Sequence, residues 1–164
     1  MTEPRQHHYA ATTIWRNAAP DAAFTYETYS RAYRIEIDGK PPIEGSSDAT
    51  FHGDPGRHNP EDLLVAALSA CHMLWYLHLC SVKDVTVLAY EDPAEGVMVE
   101  APRDGRFTEV TLRPRVTITA DSDPARAEAL HERAHAECFI ANSVNFPVHC
   151  EPTIVVAEHE SVGR

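Results

Sequence analysis

The run from Asn59 to His78 most constrains what this chain can fold into. Asn59 offers a side-chain oxygen to an orphan N–H of a first helical turn. Pro60 suits the next position, where its missing N–H costs nothing. Glu61 and Asp62 then place negative charge at the positive end of the helix dipole. From Leu63 to Leu68 every residue is apolar, which leaves no polar stripe, and a helix apolar all round is a buried helix. The pattern predicts a helix to about Ser81, roughly 20 residues. Glu61 and Asp62 at one end, with His72 and His78 inside, argue against a membrane span. Cys71 sits in the middle, and a lone cysteine there reads as a small buried hydrophobe.

At 164 residues the chain has room for one domain with a real core. Its formal charge of −11 argues against nucleic acid or an anionic membrane surface as partner. No apolar stretch follows Met1 to Arg5, so neither a secretory signal nor an anchor is expected, and the expected location is the cytoplasm. Four cysteines without a tight spacing pattern do not read as a disulfide framework. In a reducing compartment a paired thiol is catalytic, redox-sensing or metal-binding. Ten histidines keep a metal site in play.

Residues 1–7 read as a disordered N-terminus. Tyr9 to Trp15 suits a first strand, and an apolar/polar alternation runs from Phe24 through Tyr29 and on from Tyr33 to Ile37. Asp38-Gly39 marks a tight turn before a strand beginning at Pro41 to Gly45. Together these predict an antiparallel meander. After the long helix, Val85–Tyr90 and Gly96–Ala101 read as strands. Phe107 to Thr119 reads as the longest strand, with Val110, Leu112, Val116 and Ile118 on one face. Asp123-Pro124 repeats the cap-plus-proline signal of a second helix, whose Ala127, Leu130, Ala134 and Cys138 share a face. Pro152 to Ala157 is a closing strand. This order is that of an α+β domain. So apolar a helix needs covering on every side, which implies a partner subunit.

Asn59-Pro60-Glu61, Cys71 ten positions after the glutamate, and Cys138 after a helical stretch in the last third resemble the OsmC/Ohr family of thiol peroxidases. The likeness covers about residues 8 to 160 as a single OsmC-like domain. Cys71-His72-Met73 is similar to one OsmC-like branch. The resemblance implies antiparallel sheets around a long buried central helix, in an intertwined homodimer. It also implies a cysteine-based, peroxiredoxin-like peroxidase acting on organic hydroperoxides. It implies an external dithiol reductant, in some members lipoyl-type, with no bound cofactor, metal or haem.

In that family the first cysteine is peroxidatic, here Cys71, and the second resolves its sulfenic acid to a disulfide, here Cys138. That pairing requires Cα atoms within about 7 Å. Only the thiolate attacks the O–O bond, so a cation is needed nearby. The family uses an arginine held by the glutamate of Asn-Pro-Glu, here Glu61. Ten residues of helix separate Glu61 from Cys71 by about 15 Å, so Glu61 is expected to serve the other subunit's site from an antiparallel copy of the helix. Arg31 is the first choice of arginine, while Arg34 and Arg57 read as solvated surface charges. His72 reads as a hydrogen-bonded core residue. Cys80 lies about 13.5 Å from Cys71 along the helix and, like Cys150, reads as structural or incidental. Met73, Trp75, Phe139, Ile140 and Phe146 would give an apolar pocket suited to organic peroxides. The sequence departs from the family's Cys-Pro at the second site, having Cys138-Phe139.

Three other readings compete. His131, His135 and Cys138 fall at helical spacing and, with Cys71 or His72, could hold a metal. A redox-sensing or ligand-binding protein could share the fold without turnover. A Cys-His hydrolase is weaker, since no orienting third group or oxyanion motif is visible.

Overall fold

The start of the long helix is built as its residues dictate. In the computed structural model, which describes residues 5–158, Asn59 Oδ1 accepts the Asp62 N–H at 2.7 Å and the helix α1 runs Pro60–Ser81 without interruption. The chain forms two compact units, Met1–Leu63 and Leu64–Arg164.

The first unit is the meander: β1 (Thr12–Ile14), β2 (Tyr33–Glu36) and β3 (Ile43–Gly45), paired antiparallel in that order. The alternation at Phe24–Tyr29 does not make strand. The chain turns there, with the N–H groups of Thr28 and Tyr29 both donating to Thr25 O. Two of the carbonyls a strand would pair, those of Tyr26 and Tyr29, instead accept from the Arg31 guanidinium. Of the expected disordered terminus, residues 1–4 lie outside the described residues; residues 5–7 are exposed and irregular.

The second unit holds two mixed sheets. One orders β4 (Val87–Glu91), β7 (Arg115–Ile118) and β9 (Thr153–Val156); the other orders β5 (Glu95–Val99), β6 (Arg106–Leu112) and β8 (Val148–Cys150). The expected purely antiparallel arrangement is corrected here. β4–β7 and β5–β6 are antiparallel, but β7–β9 and β6–β8 are parallel. The long strand expected over Phe107–Thr119 is two strands in different sheets. Pro114 cannot donate to a ladder, and the Arg113 N–H leaves the ladder to donate to Asp92 Oδ1 at 2.7 Å. The facing is nonetheless preserved: Val110, Leu112, Val116 and Ile118 are all buried.

The second helix, α2, runs Pro124–Glu137 and is capped by Asp123 Oδ1, which accepts from the Ala125 and Arg126 N–H groups. Ala127, Leu130 and Ala134 bury its inner face. Two cores result. Tyr76, Leu79 and Cys80 of α1 pack with Val116 and Ile118 of one sheet and with that face of α2. Leu68 packs with Val110 and Leu112 of the other sheet. Thus α1 is long and apolar enough by composition to cross a membrane, yet Leu68, His72, Tyr76, Leu79 and Cys80 are core residues. Within one chain, Ala66, Ala70, Leu74 and His78 are exposed at successive four-residue steps along the helix.

Candidate active site

Cys71 is half-buried on α1 and lines an open pocket of about 420 Å³ with Leu74, Trp75, His78 and Phe139. Helical spacing puts Cys71, Leu74, Trp75 and His78 on one side of α1. Trp75 meets Phe139 edge to face, ring centroids 5.3 Å apart. Of the expected lining, Trp75 and Phe139 are in place. Ile140 and Phe146 instead pack into the core around Leu68, and Met73 does not line the pocket. Leu74 and His78, which the sequence reading passed over, complete it.

Cys138 follows α2 in extended conformation and is buried, 1% exposed. Its sulfur accepts the Ala141 N–H at 3.5 Å. Burial pushes its thiol up to about 11; the neighbouring Cys71 thiol, a hydrogen-bond partner, adds to this, while the N–H groups of Ala141 and Ile140 oppose it. The two sequence-paired cysteines are therefore brought together as free thiols, the half-buried Cys71 lining the pocket and Cys138 buried.

Arg31 and Glu61 belong to the first unit. Arg31 is 9% exposed, with its guanidinium over the Tyr29 ring at 3.8 Å and the Tyr26 ring at 4.9 Å. Its Nε is buried without a hydrogen-bond partner, and among the described residues it makes no ion pair. Glu61, in the first turn of α1, is half-buried and likewise unpaired among the described residues; its charge helps raise the Tyr33 hydroxyl, after burial. Arg34 and Arg57 are surface charges as expected. Arg34 pairs with Glu36 and Glu44, and Arg57 with Glu44 and Asp54.

The competing metal row at His131, His135 and Cys138 does not form. The helix ends at Glu137, so Cys138 leaves the row and turns to Cys71. His131 Nδ1 instead meets His72 Nε2 at 3.0 Å, the rings parallel, and Tyr76 stacks on His131 at 3.8 Å. His72 is fully buried, and burial pushes it down to about 4, with His135 adding and Asp92 opposing. It is thus a neutral core residue and no cation for Cys71. His131 is pushed down to about 3 by burial and then by His72. Cys80 is buried in the core, and its thiol is raised by burial. Cys150, on β8, lies 3.6 Å from His72 Nε2; burial, then Asp92 and Glu151, push its thiol up to about 12.

The profile of the OsmC-like protein family matches residues 52–153. The chain belongs to the OsmC-like family. Its structure is similar to that of an OsmC-like protein of unknown function from Vibrio cholerae, with 34% identity over 90% of this chain and 100% of that one, and a TM-score of 0.83. The fold is shared with the organic hydroperoxide resistance protein OsmC of Legionella pneumophila, at 20% identity over 93% and 100% of the two chains and a TM-score of 0.65. An organic hydroperoxide resistance protein of Bacillus subtilis is similar at 20% identity over 90% and 98%, with a TM-score of 0.59. No curated protein matches the sequence significantly.

Proposed function

We propose that this OsmC-like protein is a cytoplasmic thiol peroxidase that reduces organic hydroperoxides. The observation that carries the reading is the nearness of Cys138 to Cys71, which lines an open pocket with Leu74, Trp75 and Phe139. The Cys71 thiolate attacks the terminal peroxide oxygen; the O–O bond breaks and the alkoxide leaves, taking a proton to become the alcohol. Cys71 is then a sulfenic acid. The Cys138 sulfur attacks the Cys71 sulfur, the S–O bond breaks, water leaves and a disulfide forms. A small external dithiol, lipoyl-type in the family, restores both thiols by exchange. An alkyl hydroperoxide fits because Leu74, Trp75 and Phe139 can take its apolar tail.

The cation for Cys71 is assigned to Arg31, buried against two tyrosines and in no ion pair among the described residues. Glu61 is assigned to the site of a second copy, in a homodimer. An antiparallel pair of α1 helices that set Glu61 opposite Cys71 would cross midway, at residue 66. There Ala66, Ala67 and Ala70 permit close approach, and Ala66 and Ala70 are exposed in the single chain.

Intact-mass measurement after one equivalent of cumene hydroperoxide tests the chemistry. The expected result is loss of two hydrogens in the wild type, sulfenic acid trapped at Cys71 in Cys138→Ser, and no reaction in Cys71→Ser. A wild type that stays reduced overturns the peroxidase reading.

A further inference from the structure

His72, His131 and Cys150 come from three different elements, α1, α2 and β8, and their donor atoms all lie within 4.8 Å of one another. His72 Nε2 is 3.0 Å from His131 Nδ1 and 3.6 Å from Cys150 Sγ. A tetrahedral zinc ion, with Zn–N about 2.0–2.1 Å and Zn–S about 2.3 Å, sets ligand edges of about 3.3 Å between nitrogens and about 3.6 Å between nitrogen and sulfur. The sulfur edge already matches, and the nitrogen edge needs to open by a few tenths of an ångström.

The trio is poorly satisfied as a hydrogen-bonded cluster. His72 Nε2 alone faces both His131 Nδ1 and Cys150 Sγ, while the opposite ring nitrogens, His72 Nδ1 and His131 Nε2, are buried without partners; His135 Nδ1, one turn beyond His131, is buried and unpaired as well. Buried polar atoms left unpaired are uncommon and mark a strained or functional place. His131, His135 and Cys150 also line an open cavity of about 640 Å³, with Glu128 and Glu132 at its wall. That cavity gives a cation an acidic route inward and gives a water room to occupy a fourth position.

We propose that His72, His131 and Cys150 bind one zinc-class divalent ion, with the fourth coordination position open to this cavity. Two neutral imidazoles and a thiolate suit a borderline ion of this kind and not Mg²⁺ or Ca²⁺, which take oxygen ligands. Binding breaks the S–H bond of Cys150 and forms a metal–sulfur bond, releasing one proton to solvent. No electron moves. The site uses neither Cys71 nor Cys138, so it stands or falls separately from the peroxidase reading.

Cobalt titration of reduced, untagged protein tests it. The expected result is one equivalent of Co²⁺ bound per chain, with a near-ultraviolet thiolate-to-cobalt charge-transfer band that Zn²⁺ abolishes by competition. Cys150→Ser removes the band and His131→Gln weakens binding at least tenfold, whereas the Cys71→Ser/Cys138→Ser double variant keeps both. A measurement on the wild type alone avoids any misfolded variant: mass-mapped alkylation with and without Zn²⁺, where the metal protects Cys150 and leaves Cys71 reactive. Absence of stoichiometric cobalt binding, a band that survives Cys150→Ser, or a band lost in the Cys71/Cys138 double variant overturns the proposal, as does equal alkylation of Cys150 with and without zinc.

Discussion

In the proposed mechanism Cys71 and Cys138 divide their labour by burial. Cys71 lines the open pocket, where the proposed peroxide would meet it; Cys138, 1% exposed, is influenced by Cys71 and by the N–H groups of Ala141 and Ile140. The Cys138 thiol is pushed up to about 11 chiefly by burial, a cause that persists after Cys71 is oxidised. Below that value the thiolate fraction rises about tenfold for each pH unit. If the Cys138 thiolate is the attacking species, conversion of the Cys71 sulfenic acid to the disulfide therefore speeds up by about that factor per unit between pH 6 and pH 9. Stopped-flow measurement after a single pulse of hydroperoxide checks this, and a flat profile sinks it. At the same scale, Arg31→Gln is expected to slow the first step, oxidation of Cys71, at least tenfold. Arg34→Gln, whose charge is already paired to Glu36 and Glu44, should leave it unchanged. Equal rates in the two variants would remove Arg31 from the mechanism.

At the scale of elements, the approach to α1 is held by backbone fit and a cap. A Cβ on Gly53 would overlap the Ser47 carbonyl, a backbone atom that cannot swing aside. Gly53→Ala is therefore expected to destabilise the protein by more than about 2 kcal/mol, whereas Asn59→Ala loses one cap bond and about 1 kcal/mol. Urea unfolding midpoints would report both, and the reverse ranking would count against the packing argument. The sequence signals that held are those with a local cause. The Asn59 and Asp123 caps each fix a helix start through their own side chains, and the parity of Val110 to Ile118 survives even across the break at Pro114. Those that failed were outcompeted by a side chain or too short to show a period. Phe24–Tyr29 alternates like a strand, but Arg31 takes two of its carbonyls. β8 has only three residues, too few for a period. The nearness of Cys71 and Cys138 was foreshadowed only by the family resemblance, since nothing local links 71 and 138. The His72–His131–Cys150 group was not foreshadowed, because nothing local links 72, 131 and 150 either.

At the scale of the whole molecule, α1 remains apolar where the single chain does not cover it: only 28% of its most hydrophobic 18-residue window is buried. Water against that face costs on the order of 25 cal/mol for each Å² of apolar surface, which a second copy would recover. The homodimer proposed from Glu61 and Cys71 has a definite geometry, with the two α1 helices antiparallel and crossing at residue 66. Ala66→Cys, placed on the Cys71→Ser/Cys138→Ser background, is then expected to form a disulfide between copies under mild oxidation. The same change at Leu88, exposed on β4, should not. Sedimentation of the reduced protein should give twice the chain mass. If it instead sediments as a monomer, or if cross-linking at Ala66 is no faster than at Leu88, the helices do not meet there. Glu61 could then not reach the thiol of a second copy by this route, and Arg31 would have to position its charge without that carboxylate.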